Sequence, residues 1–244
     1  ENAVDSLEAA ASAMDISIDI GGESAPVKAI PQLLYSIAYN LCDNAIKYNK
    51  DDGTVDATIP PYIAIKGGLV KVATTGEKGH ALRAMSTFTM TGGIVQATTQ
   101  GAGSKALMSE GNMTLTGGKV TAFTEGDVLY EADIKELSSS AAIRSKGALT
   151  LENMVVGVKS TGMGGKAINN VGSISLKNSK VIAVATGSTY VLNGDDSRSR
   201  GVTTDGNLTI DGGALFVRSY DEPLQVEGTL KFLNGAVYNS YCAD

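Results

Sequence analysis

Two short stretches gather the side chains best suited to hold an ion or a sugar. Asp127, Glu131 and Asp133 lie in EGDVLYEADIKELSSS (125–140), and Asn193, Asp195 and Asp196 lie in GSTYVLNGDDSRSR (187–200). Calcium needs several hard oxygens converging on one point, so these two clusters are the candidate metal ligands. Tyr130 and Tyr190 sit in the same stretches, and an aromatic ring offers a sugar a flat apolar face. Trp is absent, which leaves Tyr62, Tyr220, Tyr238 and Tyr241 as the other candidate platforms. Arg198 and Arg200 complete the candidate ligand-binding set. With Arg144 and Lys146 they are also the cations or bases that elimination at a uronate carboxylate would require. No spacing in the sequence sets one of them beside an acidic cluster of a neighbouring repeat.

Other chemistries are poorly served. A glycosidase needs two converging carboxylates, and Asp205 and Asp211 near Ile210 carry no sign of facing each other. His80 is the only histidine, too few for a zinc site or a triad. No catalytic residue is assigned, and the reading is of a non-catalytic chain.

The elements that position these stretches repeat. A strand-like run, a Gly- or Asn-containing corner and a second run recur as IKGGLV at Ile65, MTGGIV at Met90, LTGGKV at Leu115, LENMVV at Leu151, LKNSKV at Leu176, IDGGAL at Ile210 and FLNGAV at Phe232. The successive steps are 25, 25, 36, 25, 34 and 22 residues. A period in the low twenties marks a solenoid in which each coil adds one layer of sheet. Between the glycines Val, Ile and Thr crowd, as short strands require. Shorter strands recur at 79–82, 105–108, 141–144, 165–168 and 201–203. The coil is too short for a crossover helix, so the predicted fold is all-β: a right-handed parallel β-helix of about seven coils over residues 61–244. An antiparallel sandwich of regular hairpins is the competing architecture. The two long steps carry the acidic stretches, which are expected to form loops on the flank.

Composition narrows the partners. Net charge is −6, so a phosphate-binding basic surface is not expected and nucleic acid is excluded as a partner. No apolar run is long enough to span a bilayer. Cys42 and Cys242, far apart in sequence, make no disulfide framework.

Residues 1–60 break the period. IPQLLYSIAYNLCDNAIKYNK places Leu33, Leu34, Ile37, Leu41, Ala45 and Tyr48 on one helical face. Residues 16–59 resemble a fragment of the ATP-binding domain of sensor histidine kinases. The resemblance implies magnesium contact at Asn40 and nucleotide contact at Asn44, with Lys47 and Tyr48 nearby. The adenine box and the lid of that family are missing. The other expectation for this segment is an α/β or helical cap that covers the end of the solenoid.

From about Tyr62 onward the chain resembles the β-helical carbohydrate-binding family of anaerobic and gut bacteria, which share the pectate-lyase shape. The phrases that carry this are SKALMSEGNMTLTGG (104–118), GKAINNVGSISLKNS (165–179) and RGVTTDGNLTIDGG (200–213). The resemblance implies a secreted or cell-surface module that binds acidic, pectin-like polysaccharide, with calcium as the implied bridging ion. A structural adhesin or filament subunit that associates end to end, and a polysaccharide lyase, are the alternatives. The last segment, LKFLNGAVYNSYCAD, shows no polar cap, which keeps the filament alternative open.

Overall fold

The computed structural model describes Leu7, Ala11 and residues 62–243. The kinase-like stretch, and all but Leu7 and Ala11 of the cap expected over residues 1–60, lie outside the described residues. Residues 62–243 fall within one unit bounded by Pro60 and Asp244.

Three parallel sheets run the length of this unit. The first takes one strand per coil: Ile63–Ile65, Phe88–Met90, Met113–Thr116, Leu149–Glu152, Ile174–Lys177, Leu208–Asp211 and Leu230–Leu233. The second stacks Leu69–Thr74, Ile94–Thr99, Lys119–Thr124, Val155–Ser160, Lys180–Ala185, Ala214–Ser219 and Val237–Cys242. The third stacks Leu82–Ala84, Lys105–Ser109, Ala141–Ser145, Lys166–Asn170, Arg200–Thr204 and Leu224–Val226. Every ladder within these sheets is parallel, which removes the sandwich. The unit is a parallel β-helix of seven coils, the last lacking a third-sheet strand among the described residues.

The repeat read in the sequence is the register of the first sheet. Ile65 faces Met90, Met90 faces Leu115, and the row continues through Leu151, Leu176 and Ile210 to Phe232. Alternation along each short strand sends one set of side chains inward. Inward rows therefore stack like on like. Val95, Val120, Val156, Val181 and Leu215 form one buried column, and Leu107, Ile143, Ile168 and Val202 another. Each such side chain withdrawn from water contributes about 1.5–3 kcal/mol.

Three corners bend each coil, and each has its own chemistry. Between the first and second sheets the backbone enters the left-handed region at Gly93 (φ 93°) and Gly118 (φ 87°), and at Asn153 (53°) and Asn178 (47°) where Asn replaces Gly. Between the second and third sheets Gly76, Gly101, Gly126, Gly162 and Gly187 lie one above another. Here the constraint is contact: a Cβ on Gly126 would stand 1.9 Å from the carbonyl oxygen of Gly101. Between the third and first sheets, the side chains of Ser109, Ser145, Asn170 and Thr204 donate hydrogen bonds to corner carbonyls, among them Ser109 to Ser86 at 2.9 Å and Thr204 to Gly172 at 2.6 Å. These buried polar groups replace water at the turn.

The long coils depart from expectation in one respect. Their insertions are hairpins rather than irregular loops. Leu129–Glu131 pairs antiparallel with Glu136–Ser138, and Tyr190–Leu192 with Asp195–Ser197. Asn193 (φ 53°) and Gly194 (φ 92°) form the second turn, the left-handed pair that a two-residue hairpin demands. Both hairpins leave the corner between the second and third sheets, so they stand over the start of the third sheet. At the last coil, Leu230, Phe232, Val237 and Tyr241 are exposed.

Candidate functional site

Cations gather where the third sheet meets the first hairpin. At the start of its strands, Lys105 lies opposite Ala141, Ala141 opposite Lys166, and Lys166 opposite Arg200. His80 joins this row one coil earlier, its Nδ1 accepting the backbone N–H of Lys105 at 3.0 Å. A second row runs Arg83, Met108, Arg144, Asn169 and Thr203. Stacking at the strand spacing brings each of these within reach of its neighbours. The hairpin over them closes a cleft of about 430 Å³, lined by Lys78, His80, Arg83, Lys105, Arg144 and Lys146, by Glu110, Glu131 and Glu136, and by Met108 and Ile134.

Two of the three carboxylates here, Glu110 and Glu131, are engaged. Glu110 accepts from Arg83 of the preceding coil and from Lys146 of the following one at 2.7 Å. Burial pushes the Glu110 carboxyl up, but the hydrogen bonds from Lys146 and Arg83 outweigh it and hold the group below its ordinary range. Glu131 accepts from Lys78 at 3.0 Å, and that bond lowers its carboxyl as well. Arg144 makes no ion pair among the described residues and is half-buried in the cleft. Burial works against the charge of the lysines behind it. Lys105, 6% exposed, donates to the Gly103 carbonyl and to Ser138 Oγ, each at 2.8 Å. Its amine is lowered to about 8, first by burial and then by the field of Arg144. Lys166 is likewise lowered to about 8, by burial and then by Arg200. His80 is lowered to about 4 by burial and by Lys105, so it is neutral near pH 7, as its accepting Nδ1 requires.

The residues singled out in the sequence are only partly brought together. Among the described residues no group of three or more His, Cys, Asp or Glu side chains is arranged to hold a metal. Asp127 Oδ1 accepts the N–H of Met163 on the next coil at 2.7 Å. Glu131 is held by Lys78, and Asp133 is exposed in the loop of the first hairpin. Asn193 is the left-handed turn residue of the second hairpin, and its neighbours Asp195 and Asp196, successive on a strand, project to opposite faces. Asp196 accepts from Arg198 at 3.0 Å. Tyr130 lies opposite Leu137 and Tyr190 opposite Ser197, each half-buried in a hairpin and neither lining the cleft.

The structure supplies pairings that the spacing did not show. Arg198, Arg200 and Lys146 do lie beside carboxylates of neighbouring coils: Arg200 pairs with Glu222 at 2.7 Å, Arg198 approaches Glu222 at 3.5 Å and Asp221 at 3.9 Å, and Lys146 pairs with Glu110. Linear spacing did not show this because the pairs form across coil steps of two different lengths, 22 and 36 residues. Asp205 and Asp211 do not face each other, since the strand Leu208–Asp211 separates them.

The cationic cleft itself was not legible as a site. Its signal was the residue before the small apolar pair in four of the six short strands: His80 before Ala81-Leu82, Lys105 before Ala106-Leu107, Lys166 before Ala167-Ile168, and Arg200 before Gly201-Val202. A net charge of −6 concealed this local excess. No protein-family profile, curated protein or solved structure matches the chain. Among the described residues no helix is long and apolar enough to cross a membrane.

Proposed function

We propose that the cleft under the first hairpin binds carboxylate-bearing polysaccharide, in a protein that works outside the cell or on its surface. The observation that carries this is Arg144, a guanidinium without an ion-pair partner among the described residues, in a cleft where Lys78, Arg83, Lys105 and Lys146 add positive charge against three carboxylates. Guanidinium meets carboxylate in a planar two-bond fork, so an anionic sugar restores the partner that the protein withholds. Met108 and the exposed Ile134 give the sugar ring apolar contact at the edges of the same cleft. The secreted or surface setting rests on the resemblance of the coil phrases to the carbohydrate-binding β-helices.

Titration with a polyuronate, beside a neutral polymer of the same sugar skeleton, tests the reading. The polyuronate binds and the neutral polymer does not, and added salt weakens the complex. Arg144→Gln weakens binding by about 10-fold or more, the worth of a charge-assisted hydrogen bond. Arg218→Gln leaves it unchanged, because Arg218 lies on the second sheet against Tyr241. Equal binding of the neutral polymer, or an Arg144 variant as tight as the parent, overturns the proposal.

A further inference from the structure

Beside the anion site the second hairpin completes a different group. Lys166 Nζ lies 2.6 Å from Ser139 Oγ and 3.1 Å from Ser197 Oγ, and the two hydroxyls are 2.9 Å apart. Ser197 donates its own proton to the Gly164 carbonyl at 3.0 Å. Ser139 comes from the foot of the first hairpin, Ser197 from the second hairpin, and Lys166 from the third-sheet strand between them. Three separate elements therefore meet at one amine. Ser139 also lines the cleft, so its hydroxyl is in reach of whatever enters.

The hydrogen bonds have a direction. Among the described residues no carboxylate pairs with Lys166, so an ammonium here would be half-buried with two hydroxyls for company. Such a group favours the neutral amine. Lys166 Nζ donates to Ser139 and to Ser197, and Ser197 gives its own proton to Gly164. Once Lys166 has lost a proton and kept its bond to Ser197, its lone pair faces Ser139 and the Ser139 hydrogen turns to it. That is the relation of an activated serine to its base.

We propose that Ser139 is a nucleophile and Lys166 its general base, in an acyl-transfer site that removes ester-linked acyl groups. Ser139 Oγ bonds to the acyl carbon as its proton passes to Lys166 Nζ. The C–O bond to the alcohol breaks, and the departing alkoxide takes that proton. Water then attacks the Ser139 ester, giving one proton to Lys166, and the carboxylic acid leaves as Ser139 regains its hydrogen. The net change is ester plus water to acid plus alcohol, with no other reactant. Lys105 and Arg144, whose positive field reaches Lys166, offset the charge on the tetrahedral oxygen. That the alcohol is a polysaccharide hydroxyl rests on the binding reading above, whereas the Ser139–Lys166 chemistry does not.

The test uses the 244-residue chain with p-nitrophenyl acetate and, separately, a fluorophosphonate whose adduct is located by mass spectrometry. The adduct is expected on Ser139. Turnover should rise with pH and level off above about 8, as Lys166 loses its proton, while the fields of Arg200, Arg144 and Lys105 lower that value and Asp196 raises it. Ser139→Ala loses on the order of 100-fold or more in rate. Lys166→Arg does the same while keeping a cation under the hairpins, because a guanidinium does not deprotonate. Ser240→Ala, exposed on the last strand of the second sheet, retains turnover. An unlabelled Ser139, or full turnover in the Ser139→Ala chain, overturns the proposal, and either result leaves the polyuronate titration unaffected.

Discussion

Gly126→Ala lowers the melting temperature by about 10 °C, while Gly157→Ala changes it little. The first figure follows from a cost of roughly 3 kcal/mol or more at about 2–4 °C per kcal/mol for a chain of this size. Gly126 is buried in the glycine stack between the second and third sheets, and a methyl group there would lie 1.9 Å from the Gly101 oxygen and 2.5 Å from its carbon. The atoms in the way are backbone, so no side chain can swing aside. Strands Lys119–Thr124 and Ala141–Ser145 on either side are locked into ladders with the coil before, which prevents the corner from moving outward alone. Gly157 differs in one respect that matters: nothing lies within 4 Å of its added Cβ. There the loss of chain entropy in the unfolded state offsets any small strain. Thermal unfolding followed by circular dichroism separates the two. Equal melting temperatures would mean that the coils are not stacked closely at this corner.

The second large effect is on stability against pH. Lys105 and Lys166 are each lowered to about 8 from an ordinary 10.5. Between those values the unfolded chain holds more protons than the folded one, so stability rises as pH is raised through this window. Below about 8 both states are protonated and the burial cost is fully present. The gain is on the order of 3 kcal/mol for each lysine, about 1.4 kcal/mol for each pH unit of separation. Denaturant midpoints measured from neutral to alkaline pH should climb in the parent chain. Replacing both lysines with Met should flatten the profile and raise stability near neutrality. A midpoint that falls over the same interval in the parent would show that these amines keep their water in the folded state.

Glycine and the lysine rows show how far the sequence could be read. The corner phrases at Met90, Leu115 and Leu151 were legible because a solenoid writes its register into the spacing of identical side chains. Ile65, Met90 and Leu115 are neighbours in space for the same reason that they recur along the chain. The site was harder. Lys105 and Lys166 both sit in the short strand phrases, yet they become members of one row only when Ala141 of the 36-residue step is placed between them. The acidic residues drew attention because they cluster along the chain. In space Glu131 neutralises Lys78 and Asp196 neutralises Arg198, so proximity in sequence was a poor guide to unmet charge. Asn193-Gly194 carried the hairpin signal plainly, since both residues suit left-handed turns. Reading Asn193 as a metal ligand obscured it. Without that hairpin Ser197 does not reach Lys166, and the hydroxyl pair goes unnoticed.

Hydrogen exchange of the 244-residue chain, with and without saturating polyuronate, tests most directly whether this cleft is the binding surface. Slowed exchange should be confined to the first hairpin, Leu129–Glu131 and Glu136–Ser138, and to the adjoining loop around Gly103. Protection on the strands Lys180–Ala185 and Ala214–Ser219 instead, or none anywhere, would contradict it.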